Sequence, residues 1–554
     1  FLNNDTEVMP GAIDALVAML EARPDAGMVG ARLLYPDGTL QEAGGIVWRD
    51  GSAWNYGNRD DPRKPEYNYV REVDYISGAA IMLPRSRWEE MGGFDEHYLP
   101  AYCEDSDLAF RLRAAGWKVL YQPAAIVIHH EGVSHGTDTG AGIKAYQVAN
   151  SAKLRERWAA TLQREHLPNG ERVMRARDRA VGRKVTLVVD HYVPEPDRDA
   201  GSRTMVAFME ALAASGRIVK FLPENMHRTP GYTEALQARG IEVVHGPWLD
   251  SPRSWLQRHG AEVDEIFLSR PSTAAAQIAT LRAHIKAPIV FYGHDLHAAR
   301  MRLVPGAMDD PAQRAEIEAM ESVERNVWRL VDVVLYPSED EVARVRALEP
   351  SVSAHAIQAY ALPAPRRRTA PAAATGGLIF VGGFRHTPNV DAAVWLATKI
   401  LPLIRRERAD TKLVIVGSNP TPAVLALAAP GVEVRGFVPD AELDALYADA
   451  RVAVCALRVG AGVKLKVVEA MHRGVPVVTT GVGAQGLPGL TEVCDIAEAA
   501  EDLAAATMRL LSDDALWMER AAAQARYVET HFSPAAMQAA LDAAFIAAAR
   551  PKGR

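Results

Sequence analysis

Short apolar runs recur along this chain, separated by stretches in which apolar residues return every three or four positions. VTLVVD at 185–190, LIFVGG at 378–383, KLVIVG at 412–417, VEVRGF at 432–437, VAVCAL at 452–457 and VPVVTT at 475–480 are the clearest runs. Each is as long as a buried strand, and most are followed by a helix-length or glycine-rich segment, so the pattern predicts an α/β fold on largely parallel sheets. At the start of the chain, Phe1-Leu2 reads as the end of a buried strand and Asn3-Asn4-Asp5-Thr6 as a polar loop at its tip. A helix is predicted over residues 10–23. At the other end, residues 534–549 form an alanine-rich helix, long enough to reach back over a cleft.

Two stretches break the rhythm. REHLPNGERVMRARDRAVGR at 164–183 holds a turn and then charge with few core residues, and reads as a linker or solvated helix. PAPRRRTAPAAATGG at 363–377 is rich in proline and alanine. They cut the chain into 1–165, 184–362 and 376–554, the last two each opening with strand, turn and helix. That pair is expected to form two nucleotide-binding-type domains facing each other across a cleft.

Composition narrows the reading. At 554 residues the chain is too long for a single core. Sixty-two Lys and Arg against 69 Asp and Glu leave a net charge of −7, which argues against nucleic acid as the main partner. The three cysteines, Cys103, Cys455 and Cys494, lie far apart without metal-ligand spacing, as reduced thiols do. With no apolar run near the roughly 18 residues of a membrane span, a cytoplasmic protein is expected, with peripheral contact at the inner membrane surface as the accompanying expectation.

In the first part, Asn4-Asp5 stands at a strand tip, where open α/β sheets present ligands. CEDSDLAFRLRAAGW at 103–117 places Glu104 and Asp105 at a helix start, where taken alone they read first as capping carboxylates. A strand then ends in His129 and His130. The order and spacing of Ser77-Gly78, Gly92-Gly93-Phe94-Asp95, Glu104-Asp105, Asp107-Leu108, Arg111, Ala115-Gly116-Trp117, Pro123 and His129 resemble the acceptor-side half of family 2 glycosyltransferases of the GT-A fold, over about 150 residues. The resemblance implies a divalent ion, Mg²⁺ or Mn²⁺, held by Asp5 and His129 under the donor diphosphate. It implies Asp105 as general base toward an acceptor hydroxyl, with Glu104 positioning that acceptor, and inversion at the anomeric carbon. A single acidic residue, Asp5, follows two asparagines where some members carry more than one. No Gln-x-x-Arg-Trp pattern of processive members is present, so one sugar per encounter is expected. The half that holds base and ribose in such domains is not seen ahead of Phe1, so the sequence reads as a fragment whose first module, as written, cannot bind donor properly, and a version lengthened upstream is expected to show metal-dependent transfer.

In the second part, Gly201-Ser202 opens a helix and offers backbone N–H groups to a phosphate or oxyanion, or is simply a strand–helix turn. His294, in GHD at 293–295, is a candidate partner for the donor sugar, with an ordinary loop histidine as the alternative. In the third part, Gly382-Gly383 is followed by Arg385 at a helix start, and a glycine-rich loop with Gly462 precedes Lys464, Lys466 and Glu469. Here parts two and three resemble family 4 glycosyltransferases of the GT-B fold, over about 370 residues. The resemblance implies that Arg385 and Lys464 neutralise the diphosphate without a metal, that Glu469 binds ribose, and that configuration is retained. The first of the family's paired glutamates falls on Ala461. GVGAQG at 481–486 satisfies a dinucleotide-binding pattern, but Pro488-Gly489 follows where a helix should begin, so it reads as a loop closing the donor pocket.

The expectation is a bifunctional transferase: a partial GT-A domain, then two Rossmann-like domains in GT-B arrangement. It would move sugars from nucleotide-sugar donors to a glycan or lipid-linked glycan of cell-surface polysaccharide or O-antigen type. Two rivals are a GT-B-fold nucleotide-sugar epimerase and a non-catalytic first module beside an active GT-B module.

Overall fold

The computed structural model describes residues 1–130, 145–304, 306–371, 376–460 and 462–550. It divides into two compact units, Phe1–Ile289 and Val290–Arg554.

The first unit begins with a mixed sheet built around strand Lys118–His129. That strand runs parallel to Ala26–Leu34, whose near-continuous apolar sequence is buried along almost its whole length. At its far end it pairs antiparallel with the short strand Thr6–Val8, and the register sets Thr6 opposite His129. Asp5 is therefore next to His129, and the backbone N–H of His130 donates to the Asp5 carbonyl at 2.9 Å. Phe1-Leu2 departs from the buried strand end expected of it. Leu2 makes only an isolated bridge to Ala80, and both residues are exposed, with Phe1 lying against Trp88 and Phe94. The helix predicted over residues 10–23 spans Ala12–Ala22.

Helix Glu104–Ala114 packs on the sheet through Leu108, Phe110 and Leu112. Its fully buried Asp107 accepts from Arg111 Nε at 2.7 Å, Trp158 Nε1 at 2.8 Å and the Tyr98 hydroxyl at 3.2 Å. Arg111 in turn donates to the Gly93 carbonyl at 2.8 Å, tying the Gly-Gly-Phe-Asp turn to the helix.

Segment 164–183 is not a solvated linker. It contains helix Val173–Arg177 and buries Met174, Arg177, Asp178 and Ala180. Its charges enter the interior as pairs. Lys220, with 0% of its surface exposed, lies 2.5 Å from Asp178 and 2.6 Å from Glu242, and donates to the Tyr69 hydroxyl at 3.0 Å. Arg177 completes the cluster, 2.7 Å from Glu242 and 2.6 Å from the Tyr56 hydroxyl. Burial of this many charges is tolerable only because every one is paired. The cluster joins the first sheet's layer to the parallel strands that begin at Val185–Asp190, which run in the order Glu242–Val243, Ile218–Pro223, Val185–Asp190, Glu265–Ser269.

The second unit opens within strand Ile289–Tyr292, which with Val333–Tyr336 and Ala354–Ala356 forms a row of parallel neighbours. A six-stranded parallel sheet follows, built from Leu378–Val381, Leu413–Val416, Val432–Arg435, Val452–Cys455, Val477–Thr479 and Asp495–Ile496. Numbered along the chain these six strands lie in the order 3-2-1-4-5-6. The order reverses between Leu378–Val381 and Val452–Cys455, and the carboxyl ends of strands at such a switch point are where open α/β sheets bind ligands. At the neighbouring turn, a Cβ on Gly417 would lie 1.9 Å from the Gly382 carbonyl oxygen, so only glycine lets these two backbones meet. The final helix spans Pro534–Ala548 and packs against strand Val333–Tyr336. No described helix is long and apolar enough to cross a membrane.

Candidate functional sites

The first unit holds a cavity of about 460 Å³ whose lining includes Asp5, His129, Glu104, Asp105, Tyr75 and Gly78. All four acidic and histidine positions expected of the first part therefore face one space. Asp5 Oδ1 and His129 Nε2 approach to 3.3 Å, both largely shielded. Ligands about 2.1 Å from one ion at roughly right angles are about 3 Å apart, so this spacing suits two ligands of a single hard cation. His129 Nδ1 meets Gln41 Oε1 at 3.0 Å, a contact that fixes the ring's orientation. No group of three His, Cys, Asp or Glu side chains able to hold a metal occurs among the described residues.

Asp105 is held by its neighbours: Gly78 N donates to Oδ2 at 2.8 Å and Ser106 N to Oδ1 at 2.6 Å. Burial pushes its carboxyl above the usual range against these hydrogen bonds. Glu104 is raised too, by burial and then by the Asp105 charge, and its Oε2 is a buried oxygen without a partner among the described residues. The chain reaches this pair through two non-glycine residues in the left-handed region, Tyr102 (φ 76°) and Cys103 (φ 71°). Such conformations cost about 1–3 kcal/mol each and persist only where surrounding contacts hold them. Buried Asn150 provides that hold, its Nδ2 lying 2.7, 2.8 and 3.1 Å from the carbonyls of Tyr98, Ala101 and Tyr102.

In the second unit, the loop at Gly382-Gly383 and the loop carrying Lys464 are linked through Asn389. Asn389 Nδ2 donates to the Gly383 carbonyl at 2.8 Å while its Oδ1 accepts from Lys466. Lys464 Nζ donates to the Gly462 carbonyl at 2.5 Å. Burial, with Lys466 nearby, lowers the Lys464 ammonium to about 8. His386 is lowered by burial and by both lysines, which places the helix start Thr387–Trp395 in their field. Arg385 is exposed beside that helix start. Glu469 lies on helix Leu465–His472, whose amino end follows Lys464. Ala461 lies outside the described residues. His294 occupies the left-handed region (φ 64°), its ring 4.7 Å from that of Tyr292.

Gly201 lies in the first turn of helix Ala200–Ala214, but Asp199 caps that helix and takes the Ser202 N–H at 2.7 Å. The open nest expected there is thus already part-filled by the protein's own carboxylate. The GVGAQG stretch forms only a four-residue helical turn, Gly481–Ala484, capped by Thr480.

Family models decide what these two regions are. Residues 1–161 match the model described as glycosyltransferase like family 2, and residues 375–513 match glycosyl transferases group 1. The chain carries a family 2-like glycosyltransferase domain followed by a group 1 glycosyltransferase domain. The N-acetylglucosaminyl-diphospho-decaprenol L-rhamnosyltransferase of Mycobacterium tuberculosis is 32% identical over 180 residues, covering 29% of this chain and 57% of the relative. The O-antigen biosynthesis protein RfbC of Myxococcus xanthus is 37% identical over 145 residues, 25% of this chain and 11% of the relative. The chain thus spans little more than half of the first relative's length and far less of the second's. Among solved structures, TarM superposes with a TM-score of 0.50 at 10% identity, covering 65% of this chain and 98% of that one, a likeness of fold. Both matched models are glycosyltransferase models, which sets the epimerase reading aside.

The motif reading named Asp5, His129, Glu104 and Asp105 but missed Gln41, Glu42, Asn150, Asn389 and the contribution of Lys466 to the charge around Lys464. The adjacent polar pair Gln41-Glu42 within the buried three-residue strand Leu40–Glu42 was the available signal, because strand alternation leaves no reason to bury both.

Proposed function

We propose that this protein transfers sugars at two sites, moving them from nucleotide-sugar donors onto a growing, lipid-linked glycan of the cell-surface polysaccharide or O-antigen type. The observation that carries the reading is that Asp5, His129, Glu104 and Asp105 all line one cavity. Two candidate ligands of one hard cation and a carboxylate on the same sugar-sized space suit a one-step displacement at an anomeric carbon. Asp5 and His129 would hold a divalent ion, which when bound would supply charge stabilisation for the departing diphosphate. Asp105 accepts the proton of the acceptor hydroxyl as that oxygen attacks, and Glu104 orients the acceptor. One displacement inverts the anomeric centre.

At the second site, Lys464, supported by Lys466 and Arg385, neutralises the donor diphosphate at the carboxyl end of the sheet, beside the Gly382-Gly383 turn. Lys464 and Gly462 belong to one loop, and Glu469 accepts from the ribose hydroxyls. His294 contacts the donor sugar, no metal takes part, and configuration is retained. Domains at 1–165, 184–362 and 376–554 carry these tasks, working at the inner membrane surface where lipid-linked acceptors and nucleotide sugars meet. Two sites on one chain raise the effective concentration of the first product at the second site.

Nucleoside diphosphate release from a panel of nucleotide sugars with acceptor tests the reading. Asp105→Asn is expected to abolish transfer at the first site, and transfer that persists in that variant removes Asp105 as base.

A further inference from the structure

We propose that Glu42 is a positioning residue for Asp105: the two carboxyl groups, held on the adjacent backbone amides of Ser77 and Gly78, share one proton, and Glu42 keeps it so that Asp105 stands ionised toward the acceptor. The inference rests on Asp105 being the base.

The geometry is a pair of carboxyls gripped by consecutive N–H groups. Ser77 N donates to Glu42 Oε1 at 3.0 Å, and Gly78 N donates to Asp105 Oδ2 at 2.8 Å. Glu42 is fully buried, at 0% exposure, and its Oε2 has no hydrogen-bond partner among the described residues. A carboxylate left that way is costly, whereas a neutral acid is not. Asp105 differs in having both oxygens satisfied, Oδ1 accepting from the Ser106 N–H and hydroxyl at 2.6 and 3.2 Å. With the Asp105 charge felt at buried Glu42, ionising one carboxyl opposes ionising the other, and the better hydrogen-bonded one takes the charge.

The groups around Glu42 do not reverse this. Asp105 raises it, and the buried phenols of Tyr75 and Tyr121 feel its charge. The Arg71 guanidinium is engaged by the neighbouring Ala43 carbonyl and stacks over Tyr121, and His129 is turned to Gln41. Burial and then Asp105 drive the Glu42 acid up to about 8, in the same sense as the geometry. The proton balance is simple. The acceptor hydroxyl gives its proton to Asp105, Glu42 retains its own throughout, and Asp105 returns the proton to water before the next turnover.

The test has two arms on the whole chain. Infrared titration should show a protonated-carboxyl band that persists at pH 7 and disappears near pH 8. Glu42→Gln, which copies the neutral acid's shape, should remove it, and Asp105→Asn should move its midpoint to lower pH by removing the neighbouring charge. A band that survives Glu42→Gln, or a midpoint unmoved by Asp105→Asn, overturns the shared proton; the second variant decides it even where the first fails to fold. In the second arm, metal-dependent transfer by the unsubstituted protein should fall above about pH 8, where ionised Glu42 adds a second charge beside Asp105, and Glu42→Gln should lose that fall. An unchanged alkaline fall in Glu42→Gln overturns the positioning role. Full transfer by Asp105→Asn would instead sink the assignment of the base, while the infrared arm still decides the shared proton.

Discussion

Asn150 and Lys464 show how single side chains set each site. The three carbonyls that Asn150 holds belong to the turn whose left-handed residues deliver Glu104 and Asp105. Asn150→Ala is therefore expected to cost about 1–3 kcal/mol of stability, as buried polar groups lose their partner. Urea denaturation measures this, and a change within about 0.5 kcal/mol would remove the strap role. Lys464 carries a pH signature. Because burial lowers its ammonium to about 8, the charge that grips a diphosphate is present below that pH and lost above it. Nucleoside diphosphate affinity measured by calorimetry should weaken between pH 7 and 9, and Lys464→Ala should flatten that dependence. A pH-independent affinity that Lys464→Ala leaves intact contradicts the assignment.

At the scale of elements, the apolar pattern placed the strands well because parallel strands buried on both faces read as continuous apolar runs. Leu378–Val381, Leu413–Val416 and Val452–Cys455 fall inside the predicted runs. Segment 164–183 was illegible for the opposite reason. Its Arg177 and Asp178 look like solvated charge along the sequence, and only their partners Glu242 and Lys220, distant in the chain, allow burial. Pairing between distant positions leaves no periodicity to read. Asp5 and His129 were legible as a motif, but their approach follows from the antiparallel register of Thr6 with His129, which no local pattern encodes. Gly417 offers an element-scale test. Gly417→Ala must push the Gly382 backbone away, so donor affinity at the second site should fall at least several-fold, by calorimetry, while first-site transfer is kept.

For the whole molecule, the buried cluster around Lys220 implies that the family 2-like domain and the strands from Val185 onward fold as one body within the first unit. Removing one partner of a buried ionic cluster costs about 3–5 kcal/mol. Lys220→Ala should accordingly shift chemical denaturation of the first unit by that order, and a transition unchanged from the parent would show the cluster to be dispensable. Cutting the chain at residue 165 would strand Tyr69 without Lys220, so the two transfer activities are better separated by point substitutions than by truncation. The most direct measurement is nucleoside diphosphate release by the protein carrying both modules, with matched donors and acceptor, with and without chelator, for the parent, Asp105→Asn and Lys464→Ala. Two independent sites predict that Asp105→Asn removes the chelator-sensitive release alone and Lys464→Ala the chelator-resistant release alone. Loss of the same release in both variants, or release untouched by either, would contradict a chain with two transferase sites.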